Sequence, residues 1–220
     1  MRQLFVGLVA EGTTDIRFLK NVIHKSIQEL SWECSPMVDV SDVWEIVGAR
    51  GDSFVEKMLD ASKKAQHISL LCIHADADDK SAEDVLTNKF IPFYKELNKL
   101  SDSECCKAVV PTIPIRMIES WMLANKQLLK QLIDAVGKSD VELGIERPPE
   151  SYANPKETIE EAIRISLAGK VKRRRDQVRI SDLYEILGNE LSLEYLRKIP
   201  SFKQFEYNVK QTLKALNFLR

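Results

Sequence analysis

Apolar positions in the first half of the chain switch repeatedly between continuous runs and helical spacing. Residues 3 to 10 form an aliphatic run closed by Glu11-Gly12, which predicts a strand. From Thr13 onward Phe18, Leu19, Val22, Ile23, Ile27 and Leu30 recur at helical intervals, with Thr and Asp residues at the start as capping candidates. Residues 37 to 47 predict a weaker strand around Val38, Val40, Val43, Trp44 and Ile46. After a Gly-Ala-Arg-Gly turn comes a helix with Phe54, Val55, Met58, Leu59 and Ala65 on one face. Residues 68 to 74 are a second continuous apolar run. The helix after it carries Val85, Leu86 and Phe93, with Pro92 as a kink or break, and Lys107 to Ile113 reads as a last strand.

Strands alternating with helices predict an α/β fold with a mainly parallel, Rossmann-like sheet. Continuous apolar strands suit a sheet covered on both faces. The second half differs. Met117 to Leu123 and Leu128 to Val136 read as helical, Asn154-Pro155 is a helix start, Ser181-Asp182 opens a short helix, and SFKQFEYNVKQTLKALNF makes a final amphipathic one. No strand signal follows residue 115 or so, and residues 137 to 153 read as a loop. The expected organisation is an α/β domain over residues 1–116 and a helical extension over 117–220, packed on or beside it.

Acidic residues stand where two of the strands should end: Glu11 in VAEGTTD, and Asp76, Asp78 and Asp79 in ISLLCIHADADD. Ligands of parallel α/β sheets gather beyond the carboxyl ends of the strands. Hard divalent cations take carboxylate oxygens there, with water and substrate phosphates. On an extended segment Asp76 and Asp78 point to the same side, and Asp15 can approach Glu11 if the helix begins near Thr13. Such a cluster without a cation suffers like-charge repulsion, and only Lys80 follows it closely. The bland alternative is a solvated, turn-forming loop. His24, His67 and His74 receive no role.

Composition changes little. The 32 basic and 33 acidic residues give a net charge of −1, so bulk charge neither requires nor excludes a nucleic-acid partner. The four cysteines, Cys34, Cys72, Cys105 and Cys106, lack the CxxC spacing of a structural zinc site, and Cys72 reads as a small buried hydrophobe. The start has no small-residue cleavage site and reads as a strand rather than a signal peptide. No stretch approaches the roughly 20 apolar residues of a membrane span, so a cytoplasmic protein with reduced thiols and no membrane partner is expected.

VAEGTTD followed by an apolar strand and DAD resembles the TOPRIM domain of topoisomerases, DnaG-type primases and OLD-family nucleases, over about residues 3 to 120. The EGTTD form is most similar to the OLD nuclease version. IPIRMIESWMLAN, NPKE and SFKQFEYNVKQTL further resemble a small bacterial TOPRIM-like family, often encoded beside ATPases in phage-defence settings. The resemblance implies Mg²⁺ or Mn²⁺ held by Glu11, Asp76 and Asp78, with Asp15 as the additional acid of OLD-type sites and Glu119 as a ligand for a second metal. It gives Glu11 a catalytic part as well, and Lys156 the place of a basic catalytic residue. Asp79 has no firm counterpart. Read without the resemblance, Glu119 is a surface residue beside Trp121 and Lys156 a solvated residue in a helix first turn, although the helix dipole opposes a Lys there.

LAGKVKRRRDQVRI concentrates Lys170, Lys172, Arg173, Arg174, Arg175 and Arg179 against one acid, Asp176. Such a segment neutralises backbone phosphates without reading sequence. It reads as a loop, and docking an acidic protein or simple solubility are its other uses. The expected function is a metal-dependent DNA or RNA nuclease. The alternative is a binding or effector subunit controlled by an ATPase partner, since no GxxxxGK[ST] loop is present for ATP hydrolysis. Topoisomerase and primase activities are not expected. The first needs a tyrosine from a separate large domain, and nothing here resembles the zinc-binding module of the second.

Overall fold

A computed structural model describes residues 2–168 and 178–219. Its centre is a four-stranded sheet in the order β2-β1-β3-β4, every pair parallel. The strands are β1 (Arg2–Val9), β2 (Val38–Glu45), β3 (Leu70–His74) and β4 (Val109–Thr112). The expected α/β class holds, and no strand follows β4 among the described residues.

Side-chain alternation sorts the strands between two cores. Leu4, Val6 and Leu8 of β1, with Leu70 and Cys72 of β3, face one side. Val9, Leu71 and Ile73 face the other. The second side is covered by α2 (Phe54–Lys64) and by a helical stretch made of α3 (Glu83–Val85), a π turn (Leu86–Phe90) and α4 (Ile91–Leu97). Pro92 accounts for the turn: it has no N–H to give the ladder, and the helix widens ahead of it rather than breaking.

The first side is covered by α1 (Thr13–Ser31) and by helices of the second half of the chain. Among the described residues that half carries α5 (Glu119–Met122), α6 (Lys126–Leu132), α7 (Pro155–Ser166), α8 (Ile180–Glu190), α9 (Leu193–Leu196) and α10 (Pro200–Ala215). Asn154 caps α7 as expected, its Oδ1 accepting from the Glu157 N–H at 3.1 Å. One apolar cluster runs from Leu4 and Phe18 through Trp121 and Leu187 to Phe202 and Leu213. The helical half is therefore packed on the sheet and shares its core.

Two contacts set where these helices lie. A Cβ on Gly188 of α8 would stand 2.7 Å from the Phe18 carbonyl oxygen, so a glycine is what lets α8 lie against the α1 backbone. Trp121 of α5 is fully buried, its Nε1 donates to Ser201 Oγ at 2.7 Å, and its ring meets Phe202 edge-on at 5.1 Å. The Trp121 contacts pin α5 to α10 and so fix Glu119, two residues earlier.

Candidate metal and phosphate site

β1 pairs with β2 on one side and β3 on the other, and the helices after β1 and β3 lie on opposite faces. The crevice between the ends of β1 and β3 is thus the point where the direction of winding reverses, the usual ligand position of such sheets. Glu11 and Asp15 leave it from β1, and His74, Asp76 and Asp78 from β3.

Asp15 sits in the first turn of α1, where its Oδ2 accepts from the Gly12 N–H at 3.1 Å and steadies the helix start. His74 is buried at the tip of β3. Its Nε2 is 3.1 Å from Asp76 Oδ1, and its Nδ1 is 3.9 Å from Asp15 Oδ2 with no hydrogen-bond partner. Glu119 is only 4% exposed, and its Oε1 accepts from the Tyr184 hydroxyl of α8. The surface position considered for Glu119 is therefore wrong: the Trp121 anchor turns it inward.

Burial raises the pKa of Asp15, against the lowering pull of His74, and the Asp76 charge raises it further. Burial likewise raises Glu119, the Tyr184 hydrogen bond lowers it, and Asp76 and Asp15 add to the rise. The Tyr184 phenol is pushed well above its usual range by burial and by Glu119. The Asp76 charge thus reaches both Asp15 and Glu119, and the Asp15 charge reaches Glu119.

Other expected residues fall differently. Asp78 has φ 55°, so the chain is not extended there and the same-side argument for the two aspartates fails. The cause is an irregular crossing with the segment after β4: Asp78 N–H bonds Arg116 O at 2.9 Å, and Arg116 N–H bonds Asp79 O at 3.1 Å. Arg116 itself has φ 64°. Lys80 is not the nearest cation to these acids, since Lys89 Nζ lies 3.7 Å from Glu11 Oε1 and Arg116 Nη1 3.6 Å from Asp79 Oδ1. Glu11 is exposed. Lys156 is exposed at the start of α7 and makes no hydrogen bond or ion pair with the acids among the described residues. Lys170, Lys172, Arg173, Arg174 and Arg175 lie outside the described residues. Arg179 is exposed just ahead of α8, its backbone N–H bonded to Asp182 Oδ2 at 3.3 Å.

The donor set suits a hard divalent cation, being carboxylate oxygens that lack full compensation. Among the described residues, however, no three His, Cys, Asp or Glu side chains already stand grouped to hold a metal. His74 pairs with Asp76, Tyr184 with Glu119 and Lys89 with Glu11. Sequence reasoning missed all three partners. Each is joined to its acid by packing, and only His74, two residues from Asp76, carried a local signal. Among the described residues no helix is long and apolar enough to cross a membrane. Compared with known proteins, the chain matches no family model, no curated protein and no solved structure.

Proposed function

We propose that the protein is a divalent-metal-dependent phosphodiesterase acting on DNA or RNA in the cytoplasm, a TOPRIM-like nuclease with a place in phage defence or nucleic-acid processing. The observation that carries this reading is the buried His74 set 3.1 Å from Asp76 and 3.9 Å from Asp15 at the winding reversal, with burial raising the pKa of Asp15 and of Glu119. Excess negative charge held out of water is relieved by a cation. Glu11, Asp15, Asp76, Asp78 and Glu119 would hold Mg²⁺ or Mn²⁺. When bound, the ion supplies a Lewis acid for the phosphate oxygens and a lowered water pKa.

The chain's own groups do the rest. Tyr184 fixes the orientation of Glu119, and His74 that of Asp76. Lys89 and Arg116, beside the acids, offer positive charge to a phosphodiester. The basic segment ending at Arg179 adds sequence-independent attraction to the strand, with Lys156 as a further cation.

One observation favours a second reading, an effector subunit switched on by an ATPase partner. Three of the acids are engaged by protein groups in the free chain, as expected of a site kept idle until a partner rearranges it.

The test is thermal and chemical. Mn²⁺ raises the melting temperature of the wild type, and the Glu11→Gln/Asp76→Asn variant loses that rise. An equal rise in both proteins removes the metal. Mn²⁺-dependent nicking of plasmid DNA or cutting of RNA, weaker in high salt and lost in Asp78→Asn, supports the nuclease. Metal binding without cleavage, followed by cleavage once an ATPase partner is added, supports the second reading.

A further inference from the structure

A cleft of about 600 Å³ opens beside the acidic rim, between the ends of β1 and β2 and the first turn of α2. That is the size of a small-ligand pocket. Its walls have a definite chemistry. Phe54, braced edge-on against Phe90 at 5.4 Å, and Ile46 supply apolar surface. Lys57 and Lys89 supply two ammonium groups, and Glu11, Glu45 and Asp52 three carboxylates. His74 lines the cleft too, 1% exposed, with its Nδ1 free of any hydrogen bond.

Lys89 is the informative residue. It stands in the π turn, its Nζ 5.6 Å from the centre of the Phe54 ring and 3.7 Å from Glu11 Oε1. Its ion pair with Glu11 is open to solvent and therefore weak. A terminal phosphate arriving in the cleft offers Lys89 a dianion in place of one exposed carboxylate. A flat ring finds Phe54 alongside.

We infer that the cleft receives one nucleotide unit, its base against Phe54 and its phosphate between Lys57 and Lys89. Occupancy draws Lys89 off Glu11 and leaves that carboxylate available to a cation. The inference rests on the nuclease reading and adds where a strand enters and how its arrival prepares the site. Nucleotide and divalent cation then strengthen each other's binding, and the effect is reciprocal.

The probe is adenosine 5′-monophosphate, titrated calorimetrically into the full chain in EDTA. Binding is expected, with adenosine at least about tenfold weaker for want of charge-assisted bonds. A Lys57→Ala/Lys89→Ala variant that melts like the wild type is expected to lose a similar factor. Equal binding of adenosine, or undiminished binding by the variant, overturns the site. A short 5′-phosphorylated single strand should displace the mononucleotide, whereas failure to displace it overturns the assignment to a strand and leaves a free-nucleotide pocket. In Lys89→Met, Mn²⁺ should bind the free protein more tightly than in the wild type, with no further gain from the mononucleotide; an unchanged gain overturns the exchange at Glu11. Mononucleotide binding without any metal-dependent cleavage would sink the nuclease reading alone, and cleavage without mononucleotide binding would sink the cleft alone.

Discussion

Asp15 and Glu119 should each contribute to how stability varies with pH. Both have raised pKa values in the folded protein, so folding favours their neutral forms. The stabilisation is complete below the ordinary carboxylate range and is lost as pH rises through the raised values. Glu119→Gln keeps the Tyr184 contact without the charge. Its melting temperature is expected above that of the wild type at pH 7 and close to it at pH 4. A difference that is equal at both pH values would contradict the assignment. Tyr184→Phe removes the donor to a buried carboxylate and should cost about 1–3 kcal/mol at neutral pH by urea denaturation. The positions of Glu11 and Asp76 beyond strand ends were legible in the sequence because the signal is local, a carboxylate after an apolar run. Tyr184 was not, because its link to Glu119 spans 65 residues and exists only once α8 is docked.

Helix–helix approach is the next scale, and Gly188 tests it. In an exposed helix interior, Gly→Ala gains about 1 kcal/mol of propensity. Here the new methyl would stand 2.7 Å from the Phe18 carbonyl oxygen, and backbone cannot yield as a flexible side chain does. Overpacking of about 1–3 kcal/mol should win, and α8 would be displaced with Tyr184 on it. Gly188→Ala is expected to be less stable than the wild type, read as a lower urea midpoint. A stabilised variant would show that the two helices have room to spare. Most elements were readable from periodicity, and Asn154-Pro155 marked its helix start through capping chemistry. The four-residue α9 and the three-residue turn at Pro149–Ser151 were not, since elements that short complete too little of a period to leave a pattern. Pro92 was read as a kink or break and proved to be a widened turn. The sequence shows where a proline interrupts the ladder, and tertiary packing decides how the helix absorbs it.

Across the whole molecule, the shared core predicts a single cooperative unfolding transition. Trp32 and Trp44 are 76% and 55% exposed, while Trp121 is fully buried against α10 in the helical half. In a Trp32→Phe/Trp44→Phe variant, fluorescence reports the helical half through Trp121 and far-UV circular dichroism the whole chain. The two urea curves should coincide. Separate midpoints would mean that the sheet and the helical half unfold independently. The sequence suggested this joining only loosely, because an amphipathic helix shows that it has a partner without saying which one.

The acids stand on the loop after β1, at the start of α1, beyond β3 and on α5, and the last of them finds its hydroxyl on α8. Ribosomes deliver the amino terminus first, so for most of its synthesis the growing polypeptide carries these groups scattered. Glu119 therefore gains its hydroxyl partner only after Tyr184 has emerged and its helix has docked, so this part of the rim is completed late in synthesis.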